Sequence, residues 1–364
     1  MNISCFSTKV LGIAVLLSAT TSQLCAQATL PDRIDDYVRA SYGKGDFHGA
    51  ILVANDGEVI YENGLGYANY EWQIANTPAT RFRIGSITKQ FTALLVFQMV
   101  ETGELSLSDT ISDHLDYYRK DTGSKVTLEQ LLNHRSGIPD LSDEFTKNYE
   151  RNFYPTQEFV ESFASGDLES APGERFQYSN AGYDILGAIL EEVAGKSYGE
   201  LLQEKVFEPL GMDATLYVGD MRIITEKADG YRRKVSADEE LMHAALLDPS
   251  VAFAAGGIYS TTGDLYKWDR ALYSDLLLTK TSRQQLFTSP YGDTYSNGWI
   301  QYPVNVPDGE TPFTVTMHQG SINGYSGVIY RNLQTQDLVV ILNNMSTNGS
   351  EWKMGEELMT MLQP

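Results

Sequence analysis

The chain is poor in cysteine and in basic side chains. Both cysteines, Cys5 and Cys25, lie in the first 28 residues, which resemble a cleaved leader. A mature chain without cysteine has no disulfide, no catalytic thiol and no thiolate-bound metal. Removing Lys9 with the leader leaves 26 of 27 basic side chains against 48 acidic ones, a formal charge of −22. Because nucleic acid is bound by basic faces, this balance argues against a nucleic-acid partner.

Long hydrophobic runs are also missing. Lys9 provides the positive start of the leader, Val10–Leu17 its short apolar core and Ala26-Gln27-Ala28 a small-x-small cleavage site. The core is well below the roughly 20 residues that span a bilayer, so we predict no stable membrane anchor. We therefore expect a signal peptide over residues 1–28 and a secreted or periplasmic protein.

What the chain does contain is a serine and a lysine one helical turn apart, Ser86 and Lys89. Residues at this spacing share a helix face, so a buried Lys89 amine can take the proton of the Ser86 hydroxyl. The same pattern occurs at Ser41–Lys44, where a predicted helix ends, and at Ser350–Lys353, in the last predicted helix. Only Ser86 opens a long apolar segment, Phe91–Val100, which is typical of a buried helix whose N-terminus favours negative charge.

Tyr178 is the candidate proton shuttle for this serine. It belongs to one of five Tyr-x-Asn patterns, here with Asn180, and the other four lie in strand contexts where tyrosine is common. Tyr178 alone follows a Pro-Gly turn and precedes an amphipathic helix, a loop position that favours catalytic groups. The alternative is a buried tyrosine whose hydroxyl is satisfied by the fold.

His318-Gln319-Gly320 is a third candidate element, and it ends a predicted strand. Gly320 lets a substrate backbone approach closely, and the N–H of Ser321 can pair with that of Ser86 as an oxyanion hole. The alternative for His318 is a sheet-edge histidine with no role. The five histidines include no His-x-His or His-Glu-x-x-His spacing, so we predict no metal and no cofactor.

Ser197 is a competing nucleophile. Gly195-Lys196-Ser197-Tyr198-Gly199 matches the Gly-x-Ser-x-Gly elbow of α/β-hydrolases, which requires a strand before the serine. Here a predicted helix precedes it. Ser197 followed by Glu200 is instead typical of a capping box that starts the next helix, and we favour that interpretation.

Strand patterns cluster at the two ends of the chain and helical patterns in the middle. Asn55-Asp56-Gly57 predicts a hairpin turn, and four further strands follow residue 298. We predict helices at Leu30–Tyr42 and Met354–Leu362 and an antiparallel sheet subdomain from residues 29–85 and 296–364. A helical insert of about residues 86–295 would lie between these parts, and the catalytic helix would begin at the junction.

Taken in order, Ser86–Lys89, Tyr178–Asn180 and His318–Gly320 resemble the class C β-lactamase superfamily, which includes D-alanyl-D-alanine carboxypeptidases, D-aminopeptidases and esterases. Four further stretches look like this group: Arg83–Phe91, Leu131–Ile138, Pro172–Phe176 and Ala255–Ser260. The resemblance implies an α/β (α+β) fold of the β-lactamase/transpeptidase type. That fold has an antiparallel sheet flanked by N- and C-terminal helices, with a large inserted all-helical domain.

The resemblance also implies roles for the site residues. Ser86 would be the acylated nucleophile, and Lys89 and Tyr178 would share acid and base work in an order that the sequence leaves open. Asn180 would bind the substrate amide, and His318 and Gly320 would contact the substrate as parts of the third motif. The backbone N–H groups of Ser86 and Ser321 would bind the oxyanion.

One departure from the motifs of class C β-lactamases narrows the range of expected substrates. Class C β-lactamases have Lys-Thr-Gly where this chain has His318-Gln319-Gly320, and a histidine is only partly charged near neutral pH. We predict an exported serine hydrolase that acts through an acyl-enzyme on D-amino-acid peptides or small esters. The alternatives are a β-lactamase and a penicillin-binding sensor without turnover. The partner is a small-molecule or peptide substrate, and the oligomeric state is left open.

Overall fold

The computed structural model describes residues 1, 28–141, 151–220, 222–233, 240–304, 312–346 and 349–363. Apart from its two end residues, the leader predicted over residues 1–28 lies outside these ranges. Within them, no helix has both the length and the apolar character needed to cross a membrane.

The strands are short in the middle of the chain and long at its ends. They are Gly49–Asn55 (β1), Glu58–Leu65 (β2), Tyr67–Asn69 (β3), Ile74–Ala75 (β4), Phe82–Arg83 (β5), Leu216–Tyr217 (β6), Tyr231–Arg233 (β7), Leu241–His243 (β8), Ile258–Ser260 (β9), Tyr295–Ser296 (β10), Trp299–Val304 (β11), Phe313–Ile322 (β12), Tyr325–Arg331 (β13) and Leu338–Asn343 (β14).

The helices occupy mainly the middle of the chain. They are Leu30–Lys44 (α1), Thr88–Thr102 (α2), Ile111–His114 (α3), Lys120–Gly123 (α4), Leu128–Leu132 (α5), Thr156–Phe163 (α6), Asn180–Ala194 (α7), Tyr198–Leu202 (α8), Glu208–Leu210 (α9), Pro249–Gly256 (α10), Thr262–Ala271 (α11), Lys280–Leu286 (α12) and Ser350–Met361 (α13). A 3₁₀ turn, Gly85–Ile87, precedes α2, and a π-helical turn, Gln203–Phe207, follows α8.

The main sheet is antiparallel and has the order β10-β11-β12-β13-β14-β1-β2, so the two ends of the chain meet where β1 pairs with β14. Side chains alternate across it, as strand geometry requires. Ile51 and Val53 face α1 and α13, whereas Leu52 faces the middle helices. Both faces of β1 are therefore buried, and the predicted α/β fold with an antiparallel sheet and flanking helices is confirmed.

The segment between the two parts of the sheet is mainly rather than wholly helical. Its short strand β9 pairs with both β5 and β6, and β7 pairs with β8. Strands of two or three residues are too short to show an alternating pattern, so the sequence did not predict β6, β7, β8 or β9. At its centre α2 is buried on almost every side, and Phe91 stacks on Trp268 with ring centroids 4.2 Å apart.

The three competing serines lie in the helical contexts predicted for them. Ser197 accepts a hydrogen bond from Glu200 N at the start of α8 in a full capping box, and Ser350 opens α13. Ser41 lies in the last turns of α1, which ends at Gly45 in the left-handed conformation. None of these three serines is followed by a helix as buried as α2, which follows Ser86.

Candidate active site

Ser86 is half-buried in the 3₁₀ turn directly before α2. The sequence predicts Ser86 at the N-terminus of this helix, and the structure inserts one tighter turn before it. Gly85 has φ +51, and a Cβ there would lie 2.8 Å from the backbone nitrogen of Ser321. Glycine is therefore required both by the conformation and by the close approach of β12.

Lys89 is fully buried one turn below Ser86. Its Nζ donates to Ser86 Oγ at 3.1 Å, to Asn180 Oδ1 at 2.8 Å and to the Ala255 carbonyl at 2.8 Å. The Asn180 and Ala255 oxygens only accept, so they fix two N–H groups of Lys89 and direct its third position at Ser86 Oγ. The sequence-predicted contact between Ser86 and Lys89 is thus present.

Asn180 begins α7 and links Lys89 to Asp140. Asp140 Oδ1 accepts from the backbone N–H of Asn180 at 2.7 Å, and Asp140 Oδ2 accepts from Asn180 Nδ2 at 3.1 Å. Because Asp140 takes the amide N–H₂, the amide oxygen must point at Lys89. Sequence reasoning missed Asp140, because an aspartate after a proline reads as an ordinary turn residue.

Tyr178 lies beside Lys89, and its ring faces the amine. The Lys89 Nζ is 4.9 Å from the Tyr178 ring centroid, and the rings of Tyr178 and His134 are 4.2 Å apart. His134 holds this loop, because Ser179 N donates to its Nδ1 at 3.1 Å and Gln177 N donates to its backbone carbonyl at 2.7 Å. Burial, with Lys89 nearby, holds the pKa of His134 well below its usual range, so it acts as a neutral acceptor.

The Ala255 carbonyl reaches Lys89 from a strained segment of α10. Phe253 has φ 21° and ψ −126°, a conformation that costs roughly 1–3 kcal/mol unless the surroundings hold it. Ala255 N donates to Asp184 Oδ1 at 3.2 Å, and Thr92 Oγ1 donates to the Ala254 carbonyl at 2.7 Å. Burial raises the pKa of Asp184 well above its usual range. No sequence pattern marks Asp184, which looks like a polar position on an amphipathic helix.

His318 lies within β12, which continues to Ile322, rather than at the strand end that we predicted. Its side chain is 2% exposed, its Nδ1 contacts the Gln319 carbonyl at 2.5 Å, and its Nε2 contacts the Tyr295 hydroxyl at 3.2 Å. A carbonyl only accepts, so Nδ1 carries the proton and Nε2 accepts. Burial, and then the nearby Lys89, lower the pKa of His318 to about 3. The expectation of a partly charged histidine is therefore wrong.

Gly320 brings β12 against the turn that carries Ser86. A Cβ at Gly320 would lie 1.9 Å from the Ile84 carbonyl oxygen and 3.2 Å from Ser86 N. β11 pairs with β12 only as far as Met317, so the strand edge beyond it faces this turn. The backbone nitrogens of Ser86 and Ser321 thus lie on segments in direct contact.

A pocket of about 210 Å³ opens beside Ser86. Its polar lining includes Asn180 and Ser321, and the apolar walls are Leu141, Leu247, Val251, Ala252 and Ile322. Among the described residues that line it, neither Tyr178 nor His318 is found. Tyr178 instead lies beside Lys89, and His318 lies within β12.

Comparison with known proteins identifies the family. The β-lactamase family profile matches residues 34–359. Penicillin-binding protein 4* of Bacillus subtilis is 29% identical over 320 residues, which cover 83% of this chain and 69% of that protein. The octameric penicillin-binding protein homologue from Pyrococcus abyssi aligns with a TM-score of 0.75 and 29% identity, over 91% of this chain and 76% of that one. D-amino acid amidase from Ochrobactrum anthropi SV3, at 23% identity, a TM-score of 0.75 and coverage of 92% and 98%, shares the fold. The chain therefore belongs to the β-lactamase family and is a serine hydrolase.

Proposed function

We propose that Ser86 is the nucleophile of an acyl-enzyme mechanism, with Lys89 as its base. The observation that carries the proposal is the 3.1 Å contact between Lys89 Nζ and Ser86 Oγ at the wall of a pocket. Lys89 in its neutral amine form takes the Ser86 proton while Oγ bonds to the substrate carbonyl carbon. Negative charge then develops on the carbonyl oxygen, which the N–H groups of Ser86 and Ser321 stabilise.

Collapse of this intermediate breaks the bond to the leaving group, which receives the proton from Lys89 directly or by way of the Tyr178 hydroxyl. Water then attacks the acyl-enzyme, its proton passes to the same base, and Ser86 regains its own. Asn180 contributes at the pocket wall. Since its two polar side-chain atoms already bind Lys89 and Asp140, a substrate amide would share these atoms rather than replace their partners.

We propose that the substrates are D-amino-acid peptides, or small esters. The likeness to penicillin-binding proteins and to a D-amino acid amidase supports this class. The small pocket, with apolar walls beside its polar groups, suits a short side chain next to the scissile carbonyl. The neutral His318 offers no cation to a β-lactam carboxylate, which disfavours efficient penicillin hydrolysis.

We also propose that the leader directs export of the protein. The mature chain is further proposed to divide into a sheet subdomain, residues 29–85 and 296–364, and a helical insert of about residues 86–295. Expression in a bacterium with the leader intact, followed by mass determination, tests export. Release of a product that starts at residue 29 is expected, whereas retention of the leader would contradict export.

The test of the nucleophile compares four single variants, Ser86→Ala, Ser41→Ala, Ser350→Ala and Ser197→Ala. Each is treated with a fluorophosphonate and with a fluorescent penicillin, and the added mass is measured. Only Ser86→Ala should lose the covalent adduct, because Ser197 caps α8, Ser350 opens α13 and Ser41 lies in the last turns of α1. Labelling that survives in Ser86→Ala would refute the assignment, and loss of activity only in Ser197→Ala would revive the hydrolase elbow.

Turnover of a D-Ala-D-Ala peptide, a D-amino-acid anilide, a short-chain nitrophenyl ester and nitrocefin then defines the leaving group. Hydrolysis of the anilide or ester with slow nitrocefin turnover is expected. Stoichiometric acylation by penicillin without turnover of any substrate would favour a sensor, in line with the penicillin-binding relatives.

A further inference from the structure

A second, larger cavity of about 650 Å³ adjoins the pocket of Ser86. Leu247 and Asn323 line both, so the two spaces share a wall. The larger cavity is also lined by Arg83, three residues before Ser86, and by Arg222 and Lys227. A substrate held at Ser86 can therefore extend towards a group of cationic side chains.

Arg83 is the unusual member of this group. It is 7% exposed, and its Nε and Nη2 are buried without a hydrogen-bond partner among the residues that the structure describes. Its guanidinium lies 5.5 Å from the ring centroid of Tyr259. A buried cation without a paired anion is costly, and such groups are normally ion-paired or hydrogen-bonded. The cost is consistent with a group that is kept free for a ligand.

The other charges in the cavity are already paired. Arg222 bonds Asp220 at 2.7 Å, and Lys227 lies 3.4 Å from Asp229. Each pair is neutral as a unit, so Arg83 leaves the lining with one uncompensated positive charge. The guanidinium presents a planar fork of N–H groups that matches a carboxylate.

The third motif gives a reason for a cation elsewhere. His318 is neutral, so the strand beside Ser86 supplies no positive charge to an anionic substrate. We propose that Arg83 binds a carboxylate of the substrate, remote from the scissile bond, in the larger cavity. The proposal rests on the proposed acyl-enzyme function and adds a substrate class, namely acyl donors that carry a second, free carboxylate.

The test uses nitrophenyl esters that share one leaving group. The neutral ester is butyrate, and the anionic ones are the monoesters of succinate, glutarate and adipate, which place the carboxylate at increasing distances from the carbonyl. Wild type should prefer one length of anionic ester over butyrate. Arg83→Gln should lower kcat/KM for that ester about tenfold or more, as expected for a lost charged hydrogen bond, and leave butyrate unchanged.

The matched control is Arg39→Gln, which removes the same charge from the exposed face of α1, where Arg39 pairs with Asp35. It should change neither ester. Thermal unfolding separates a ligand role from a structural one. Because Arg83 Nε and Nη2 bond nothing in the described part of the chain, Arg83→Gln should not lower the melting temperature.

Each outcome has one meaning. Equal loss on neutral and anionic esters, or a clear fall in melting temperature, would make Arg83 a structural residue and overturn the proposal. An unchanged ratio between the esters would overturn it as well. If wild type hydrolyses no ester at all and Ser86 is not labelled, the acyl-enzyme function fails instead, which is a distinct result.

Discussion

The link from Asp140 through Asn180 to Lys89 makes a specific prediction for Asp140→Asn. The carboxylate accepts two hydrogen bonds from Asn180, one from its backbone and one from its side chain. An amide of the same shape has one acceptor and one donor. In either orientation of Asn at position 140, one N–H group faces another.

Two consequences are possible, and both are measurable. If the new amide turns its donor to the backbone N–H of Asn180, the start of α7 loses its acceptor. If it turns its donor to Asn180 Nδ2, the Asn180 amide must flip, and its N–H₂ then faces Lys89 Nζ. A hydrogen bond to a charged group contributes about 1.5–3 kcal/mol, so we expect a loss of about 2 kcal/mol in unfolding free energy or a roughly 30-fold loss in kcat/KM.

The reciprocal exchange is the sharper test. The double variant combines Asp140→Asn with Asn180→Asp. The new carboxylate at position 180 accepts hydrogen bonds from Lys89 and from the side-chain N–H₂ at position 140. The amide oxygen at position 140 accepts the backbone N–H of residue 180. Every hydrogen bond is restored, so urea unfolding should show recovered stability. Activity should stay low, because a carboxylate beside Lys89 favours its ammonium form. Asp167→Asn, at a carboxylate that is 90% exposed, is the matched surface control and should be silent.

Two results would contradict the proposed link from Asp140 to Lys89. A single variant with wild-type stability and turnover would show that the amide orientation of Asn180 is not set by Asp140. A double variant no more stable than the single one would show that the contacts act independently.

Three further predictions concern other parts of the site. Gly320→Ala should lower kcat about 100-fold, because a Cβ 1.9 Å from the Ile84 carbonyl must push β12 away from Ser86; unchanged kcat would contradict this close approach. The pKa of His318 is lowered to about 3, so its contribution to stability is complete above pH 6.5 and is lost as pH falls towards 3, by about 1.4 kcal/mol per pH unit. Unfolding free energies measured from pH 7 to pH 4 should fall less steeply in His318→Gln, and an equal slope would show that the fold does not lower the pKa of His318. Ser197→Ala should cost about 1 kcal/mol through the lost cap of α8 and leave turnover intact, as followed by urea unfolding and ester hydrolysis.

The parts of the site that sequence predicts are those with a local cause. The contact between Ser86 and Lys89 follows from helical spacing alone, and the capping role of Ser197 follows from the glutamate three residues later. Strand cores were predicted by their apolar runs, whereas the extension of β12 to Ile322 depends on its pairing with β13.

The parts that sequence misses depend on contacts between distant segments. Asp140 reaches Asn180 from a loop, and the Ala255 carbonyl reaches Lys89 from a strained turn. No local sequence pattern indicates either contact. The charge of His318 was misjudged for the same reason, because its burial is set by the packing of Tyr295 and β12. Residue type gives the ordinary pKa, and only the fold gives the surroundings that shift it.

The pairing of β1 with β14 has a consequence for the order of assembly. β1 is among the first strands to be synthesised, yet one of its two edges waits for a strand at residues 338–343. Ser86 likewise waits for the segment around Ser321 to pack against its turn. A nascent chain therefore carries its nucleophile long before it has a finished sheet, and reactivity appears only when the final strands are in place. Fragments that stop before β14 should therefore be inert towards acylating agents.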